Sequence, residues 1–125
     1  YQGTRDCAAF LAVPDAIRFQ REHNWDQVRA DCHALAGYAK ALILEQFDLQ
    51  PLQPETPVWY SQMVTIPLPK PDLTNVYQRL VDEYNIDIPI FTVQDHPLAR
   101  LSIQAYNTRE QVDRFAEALK TIFAA

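Results

Sequence analysis

Arg100-Leu-Ser-Ile-Gln-Ala-Tyr-Asn-Thr108 runs straight into Arg109-Glu-Gln-Val-Asp-Arg-Phe-Ala-Glu-Ala-Leu119. The first segment reads as a strand, Arg100 to Ala105, opened by an arginine and closed by Tyr-Asn-Thr. In the second, Val112, Phe115 and Leu119 recur at helical spacing, continued by Ile122 and Phe123. Thr108 with Gln111 three residues on predicts a capping box at the helix start. Upstream, Ile88 to Val93 reads as a further strand, joined to the first through a hairpin over Gln94-Asp-His-Pro-Leu-Ala99. Asp72 is placed to cap a helix with Leu73, Val76, Tyr77, Leu80, Val81 and Tyr84 on its apolar side. Before it, Val58 to Ile66 reads as a strand with Val58, Tyr60, Val64 and Ile66 on one face, ended by Pro67, Pro69 and Pro71. The order strand, helix, strand, strand, helix predicts an α+β fold, a small and mostly antiparallel sheet covered on one face by helices.

Two helices precede this unit. Asp6 can cap one from Cys7 to about Glu22, and Pro14 inside it predicts a kink or two short segments. Asn24, with Gln27 as a weak capping box, starts a second that runs to about Phe47 along Trp25, Val28, Cys32, Leu35, Ala39, Leu42 and Ile43. Pro51, Pro54 and Pro57 make the following stretch an extended linker. The chain therefore divides at 1–23, 24–57 and 58–125. The apolar faces of the two leading helices exceed what so small a sheet can cover.

The 125 residues carry a net charge of -5, with 48% hydrophobic and 22% charged residues. Those values suit one globular core, and scattered arginines without a basic run argue against a nucleic-acid partner. No apolar run approaches the length of a membrane helix. Cys7 and Cys32 have no framework spacing, which fits two small buried side chains in a reducing, cytoplasmic setting. His23, His33 and His96 show no ligand spacing, so no metal site is expected. The chain opens on Tyr1, and its one methionine is Met63; a cut or truncated polypeptide is the expectation.

Arg100 is the leading candidate for chemistry. Its planar guanidinium can grip a carboxylate with two parallel bonds, although on residue chemistry alone a solvated surface arginine is the commoner case. Gly3-Thr4 offers a hydroxyl and a backbone N–H beside a flexible glycine, which can approach a phosphate closely; a plain turn ahead of Asp6 is the competing account. Tyr1 and Gln2 stand next to that pair and could line the same pocket. Arg5 suits a salt bridge or an interface. Tyr106, Asn107 and Thr108 suit structural work, Asn107 in a turn conformation. Gln62 and Met63 are equally compatible with a cleft, the core or the surface.

Taken together, Arg100 to Leu119, Tyr1-Gln-Gly-Thr-Arg-Asp6, Phe10-Leu-Ala-Val-Pro-Asp-Ala-Ile-Arg-Phe19 and Met63-Val-Thr-Ile-Pro-Leu-Pro69 resemble class V (cysteine desulfurase-like) aminotransferases. These are pyridoxal-phosphate enzymes of fold type I, and the segments resemble their isopenicillin N epimerase-like branch in particular. The resemblance covers nearly all of the chain. It implies a C-terminal fragment: residues 1–23 would end the large cofactor domain, 24–57 would connect, and 58–125 would be the small domain. It also implies a pyridoxal 5'-phosphate cofactor, an amino-acid substrate whose carboxylate Arg100 holds, and a homodimer in which Gly3 and Thr4 meet the neighbouring subunit's cofactor phosphate. Epimerisation, lyase or desulfurase elimination, and transamination are all open to such an enzyme. Schiff-base chemistry needs a lysine over the cofactor. Lys40, Lys70 and Lys120 do not resemble the family's, which lies upstream of the Gly-Thr pair, and each reads as a solvated surface charge. No catalytic residue is therefore expected here, the chain alone should be inactive, and it should not bind the cofactor by itself. A stand-alone small-ligand binding or regulatory module without catalysis is the other reading, since strand-helix-strand-strand-helix units serve many functions.

Overall fold

The structure is a computed structural model that describes residues 3–54, 56–69 and 73–124. Its elements are α1 (Ala8–Leu11), α2 (Val13–Glu22), α3 (Trp25–Phe47), a 3-10 turn (Pro57–Trp59), β1 (Met63–Pro67), α4 (Val76–Tyr84), β2 (Ile90–Val93), β3 (His96–Ser102) and α5 (Arg109–Ala124). The fold is α+β. Its three-stranded sheet has the order β1-β3-β2 with both pairings antiparallel.

The sheet's alternation decides what it buries. Val64 and Ile66 of β1 lie opposite Leu101 and Ala99 of β3, and all four are buried together with Ile103. Onto this face pack α5, through Val112, Phe115, Leu119, Ile122 and Phe123, and α3, through Cys32, Ala36, Ala39 and Ile43. The small side chains of Ala36 and Ala39 let α3 lie close to the sheet. Gln46 Nε2 donates to the Ala116 carbonyl at 2.9 Å, and the Phe47 and Phe123 rings meet edge-on at 5.8 Å. These contacts lock the two helices together. Of the two leading helical segments, only α3 joins the core, since α1 and α2 bury no residue.

Local chemistry explains most boundaries. The Asp6 carboxylate accepts the Ala8 N–H at 2.8 Å, but α1 begins at Ala8 with Cys7 in the cap position and no side-chain cap bond, so Asp6 stands one residue ahead of the cap position expected of it. Pro14 stands in the first turn of α2, where a missing N–H is harmless but the ladder from α1 cannot continue. The capping box closes both ways at α5: Gln111 N–H donates to Thr108 Oγ1 and Thr108 N–H to Gln111 Oε1. Asp48 and Asn85 end α3 and α4 in the left-handed conformation, with φ of 50° and 53°.

Several expectations are corrected. Asn24 precedes α3 in the left-handed region (φ 46°) and makes no side-chain cap bond, because it is the turn between α2 and α3. The strand expected from Val58 starts at Met63; Pro57 sets up a 3-10 turn instead and leaves Val58 86% exposed. α4 starts at Val76, after a left-handed Asn75, so Leu73 lies outside the helix. The Asp72 cap falls outside the described residues.

The hairpin is tighter than the sequence suggests. Gln94 and Asp95 alone form it, both at positive φ (48° and 65°), and Val93 pairs with His96; that is the mirror-image turn favoured by strand twist. β3 therefore begins at His96 and ends at Ser102, and Arg100 is its fifth residue rather than its first. Cys7 is exposed rather than buried, whereas Cys32 is buried as expected. Among the described residues no helix is long and apolar enough to cross a membrane.

Candidate functional site

Arg100 lies on the sheet face opposite the core, across from Thr65, and its buried neighbours Ala99 and Leu101 pin the backbone on either side. It lines a cleft of about 470 Å³. One wall is residues 85–89, the chain that enters β2; the other is the end of β3, Arg100 to Ser102, with Ile103 after it; the floor comes from Thr108 and the first turns of α5, with Gln111 and Arg114. A cleft of that size suits a small organic ligand.

The electrostatics single out Arg100 within it. Arg79 is paired with Glu83 at 2.8 Å, Arg18 with Asp15 at 2.6 Å and Arg29 with Asp26 at 3.0 Å. Arg109 sits 3.9 Å over the Tyr38 ring, and Arg114 Nη2 donates to the Tyr84 carbonyl. The Arg100 guanidinium has no ion pair, side-chain hydrogen bond or ring contact among the described residues. Asp87 shares the cleft but accepts the Tyr77 hydroxyl at 3.2 Å instead. Arg21 is comparably unpaired, but it lies on the exposed α2, away from this cleft. Arg100 is thus an exposed strand residue at the rim of a ligand-sized cleft, with no ion pair among the described residues.

The other sequence candidates fall elsewhere. Gly3 (φ 70°) and Thr4 are exposed and are not part of the cleft. Tyr1 and Gln2 lie outside the described residues. The Arg5 guanidinium stands 4.6 Å over the Phe10 ring. Gln62 donates to the Ile103 carbonyl at 3.2 Å, and Met63 is exposed on the outer sheet face; neither lines the cleft. Asn107 does line it, in a turn as expected: its N–H donates to the Gln104 carbonyl at 2.8 Å, Oδ1 accepts the Gln104 N–H at 2.8 Å and Nδ2 donates to Gln111 at 3.1 Å. Asp87, Ser102 and Arg114 were not foreseen. The usable signal for Asp87 was Pro89, which forbids a full-length β2 and so opens a gap beside that chain.

Lys40 is a correction. It is only 4% exposed, with its ammonium 5.7 Å from the Tyr60 ring, because α3 carries it onto the packed side of the helix. Lys120 is an exposed partner of Glu117 at 3.8 Å, and Lys70 lies outside the described residues. A pyridoxal phosphate requires a lysine, phosphate donors and a ring clamp in one place. The described residues of a single chain do not bring these together: the cleft contains no lysine, and the Gly-Thr turn stands apart from it.

No protein-family model matches the chain. It is similar to isopenicillin N epimerase of Amycolatopsis lactamdurans, 36% identical over 122 residues that make up 97% of this chain and 31% of that protein. It is also similar to isopenicillin N epimerase of Streptomyces clavuligerus, 30% identical over 122 residues, again 97% of this chain and 31% of that protein. The chain spans under a third of the length of the curated relatives it matches, and over nearly all of its own length it is homologous to a segment of isopenicillin N epimerases.

Proposed function

We propose that this chain is the C-terminal part of a pyridoxal-phosphate-dependent enzyme of the class V aminotransferase type, related to isopenicillin N epimerase and acting on an amino-acid substrate. Its own contribution is substrate binding. The observation that carries this is the unpaired Arg100 guanidinium beside a 470 Å³ cleft, on a chain homologous to those enzymes along its length. Bound cofactor would supply the electron sink for chemistry at the α-carbon. The lysine and ring clamp would come from outside the present chain, and Gly3-Thr4 would meet the phosphate of a second subunit in a homodimer. Arg100 fixes the α-carboxylate, and with it the direction in which the α-hydrogen points. Epimerisation, elimination and transamination all share this requirement, so Arg100 does not select among them.

The test is Arg100→Leu in a protein that includes the cofactor domain, read as exchange of the substrate α-proton in D2O. Loss of a bidentate charge-assisted contact should lower kcat/KM by about a hundredfold. An unchanged kcat/KM would refute the assignment. The chain alone should show neither exchange nor a borohydride-trapped lysine adduct with pyridoxal phosphate. A second reading, a self-standing binding or regulatory module, draws on the continuous core shared by the sheet, α3, α4 and α5; the uncovered apolar helices at the start of the chain weigh against it.

A further inference from the structure

One stretch of the β3 edge is left open, and it faces the cleft. The Ile103 N–H donates to the Gln62 carbonyl at 2.8 Å and the Arg100 N–H to the Pro89 carbonyl at 3.0 Å. Odd residues of β3 therefore bond toward β1, and even residues point toward β2. Opposite Arg100 stands Pro89, which has no N–H to return, and β2 proper begins only at Ile90, opposite Ala99. One step further, the Ser102 N–H points the same way and has no backbone partner among the described residues. Residues 85–88 do not pair with it, and the cleft lies between them and the end of β3.

An unmade bond on a strand edge is available to a ligand at no cost to the fold, since taking it breaks no backbone pair. The neighbouring Arg100 carbonyl gives the edge a polarity. It repels an anionic oxygen from its own position, so the favourable seat for one is at residue 102. Arg100 and Ser102 also present their side chains on the same sheet face, two residues apart.

We propose that the Ser102 backbone N–H is a second carboxylate donor and acts as a positioning group: one ligand oxygen takes the Ser102 N–H while the Arg100 guanidinium holds the carboxylate. The proposal rests on the carboxylate reading of Arg100 and adds an orientation to it. A long arginine side chain alone lets a carboxylate swing, whereas a donor fixed in the strand backbone does not.

The experiment is an acetate titration of the chain followed by 15N-resolved amide shifts, with three variants. In the wild type the Ser102 amide proton should move downfield with the same midpoint as the Arg100 side-chain signals. Ser102→Ala keeps the N–H and should bind within about twofold of wild type; Ser102→Pro removes it and should bind about tenfold more weakly. Arg100→Leu should abolish saturable binding. Saturable, Arg100-dependent binding that leaves the Ser102 amide unmoved would overturn the positioning role and spare the carboxylate reading. Absence of Arg100-dependent binding would overturn both. The wild-type amide shift decides the matter even where Ser102→Pro fails to fold.

Discussion

At Gly37 a missing side chain is what the fold requires. A Cβ built there would lie 2.9 Å from the Tyr60 hydroxyl, and the Tyr60 ring is held by stacking on His33 at 4.7 Å. His33 is itself tied to the Ser61 carbonyl at 3.0 Å. In an open helix, Gly→Ala would stabilise by about 1 kcal/mol. In the wild type Gly37→Ala should instead be neutral or destabilising, because Tyr60 has to move. In a Tyr60→Phe background the obstructing oxygen is gone and the same change should stabilise by about 1 kcal/mol. Urea melts of the four proteins measure the coupling; additivity within error would show that Tyr60 already moves freely. Arg100 is the contrasting case. It is exposed and unpaired, so Arg100→Leu should change stability by no more than about 0.5 kcal/mol, and a lost ligand contact can then be told from a damaged fold by thermal melting. That Arg100 stands on a strand ahead of the last helix was legible in the sequence. The burial of Lys40 was not, because lysine type says nothing about which side of α3 is packed.

The helices were read nearly to their ends, whereas the strands were found but their ends were not, for physical reasons. At α5 sequence and structure agree residue by residue, from the Thr108–Gln111 box to the buried Val112, Phe115 and Leu119. A helix carries its own ladder, so propensity, capping and periodicity speak to the same residues. A strand ends where its neighbour stops pairing, and that depends on Pro89 and on a two-residue turn at Gln94 and Asp95, neither of them glycine. The cleft exists because β2 is short, which is why its walls went unforeseen.

Two predictions belong to the α5 element. Thr108→Ala removes one half of the box and should cost about 1 kcal/mol, measured by chemical denaturation; no loss would mean that Gln111 and Asn107 suffice. The second concerns the tie between α5 and α3. The Tyr38 hydroxyl donates to Asp113, which raises the phenol above its ordinary value, reinforced by desolvation and opposed by Arg109. With its folded pKa raised, Tyr38 contributes stability that is fully present below pH 10, its unfolded value, and is lost as pH rises through the folded one. Alkaline melts should therefore fall more steeply for the wild type than for Tyr38→Phe, and equal slopes would remove Tyr38 from the account.

Across the whole molecule the imbalance lies at the N-terminal end. The sheet, α3, α4 and α5 share a continuous core, whereas α1 and α2 bury nothing and leave Phe10, Leu11, Val13, Ile17 and Phe19 uncovered, Leu11 at 75% exposure. Several large apolar side chains left exposed on neighbouring helical turns are the kind of surface that marks an association site. In the proposed enzyme the rest of the cofactor domain would cover this face, and for the chain alone a second copy is the surface that can bury it. Light scattering after size exclusion should then show concentration-dependent association above the 14.4 kDa monomer mass. Leu11→Glu with Ile17→Glu should restore the monomer without shifting the melting temperature, because neither residue belongs to the core. A wild-type chain that stays monomeric at every concentration would mean these helices need no partner. The balance would then move toward a self-standing binding module, with Arg100 as its ligand contact and no cofactor chemistry behind it.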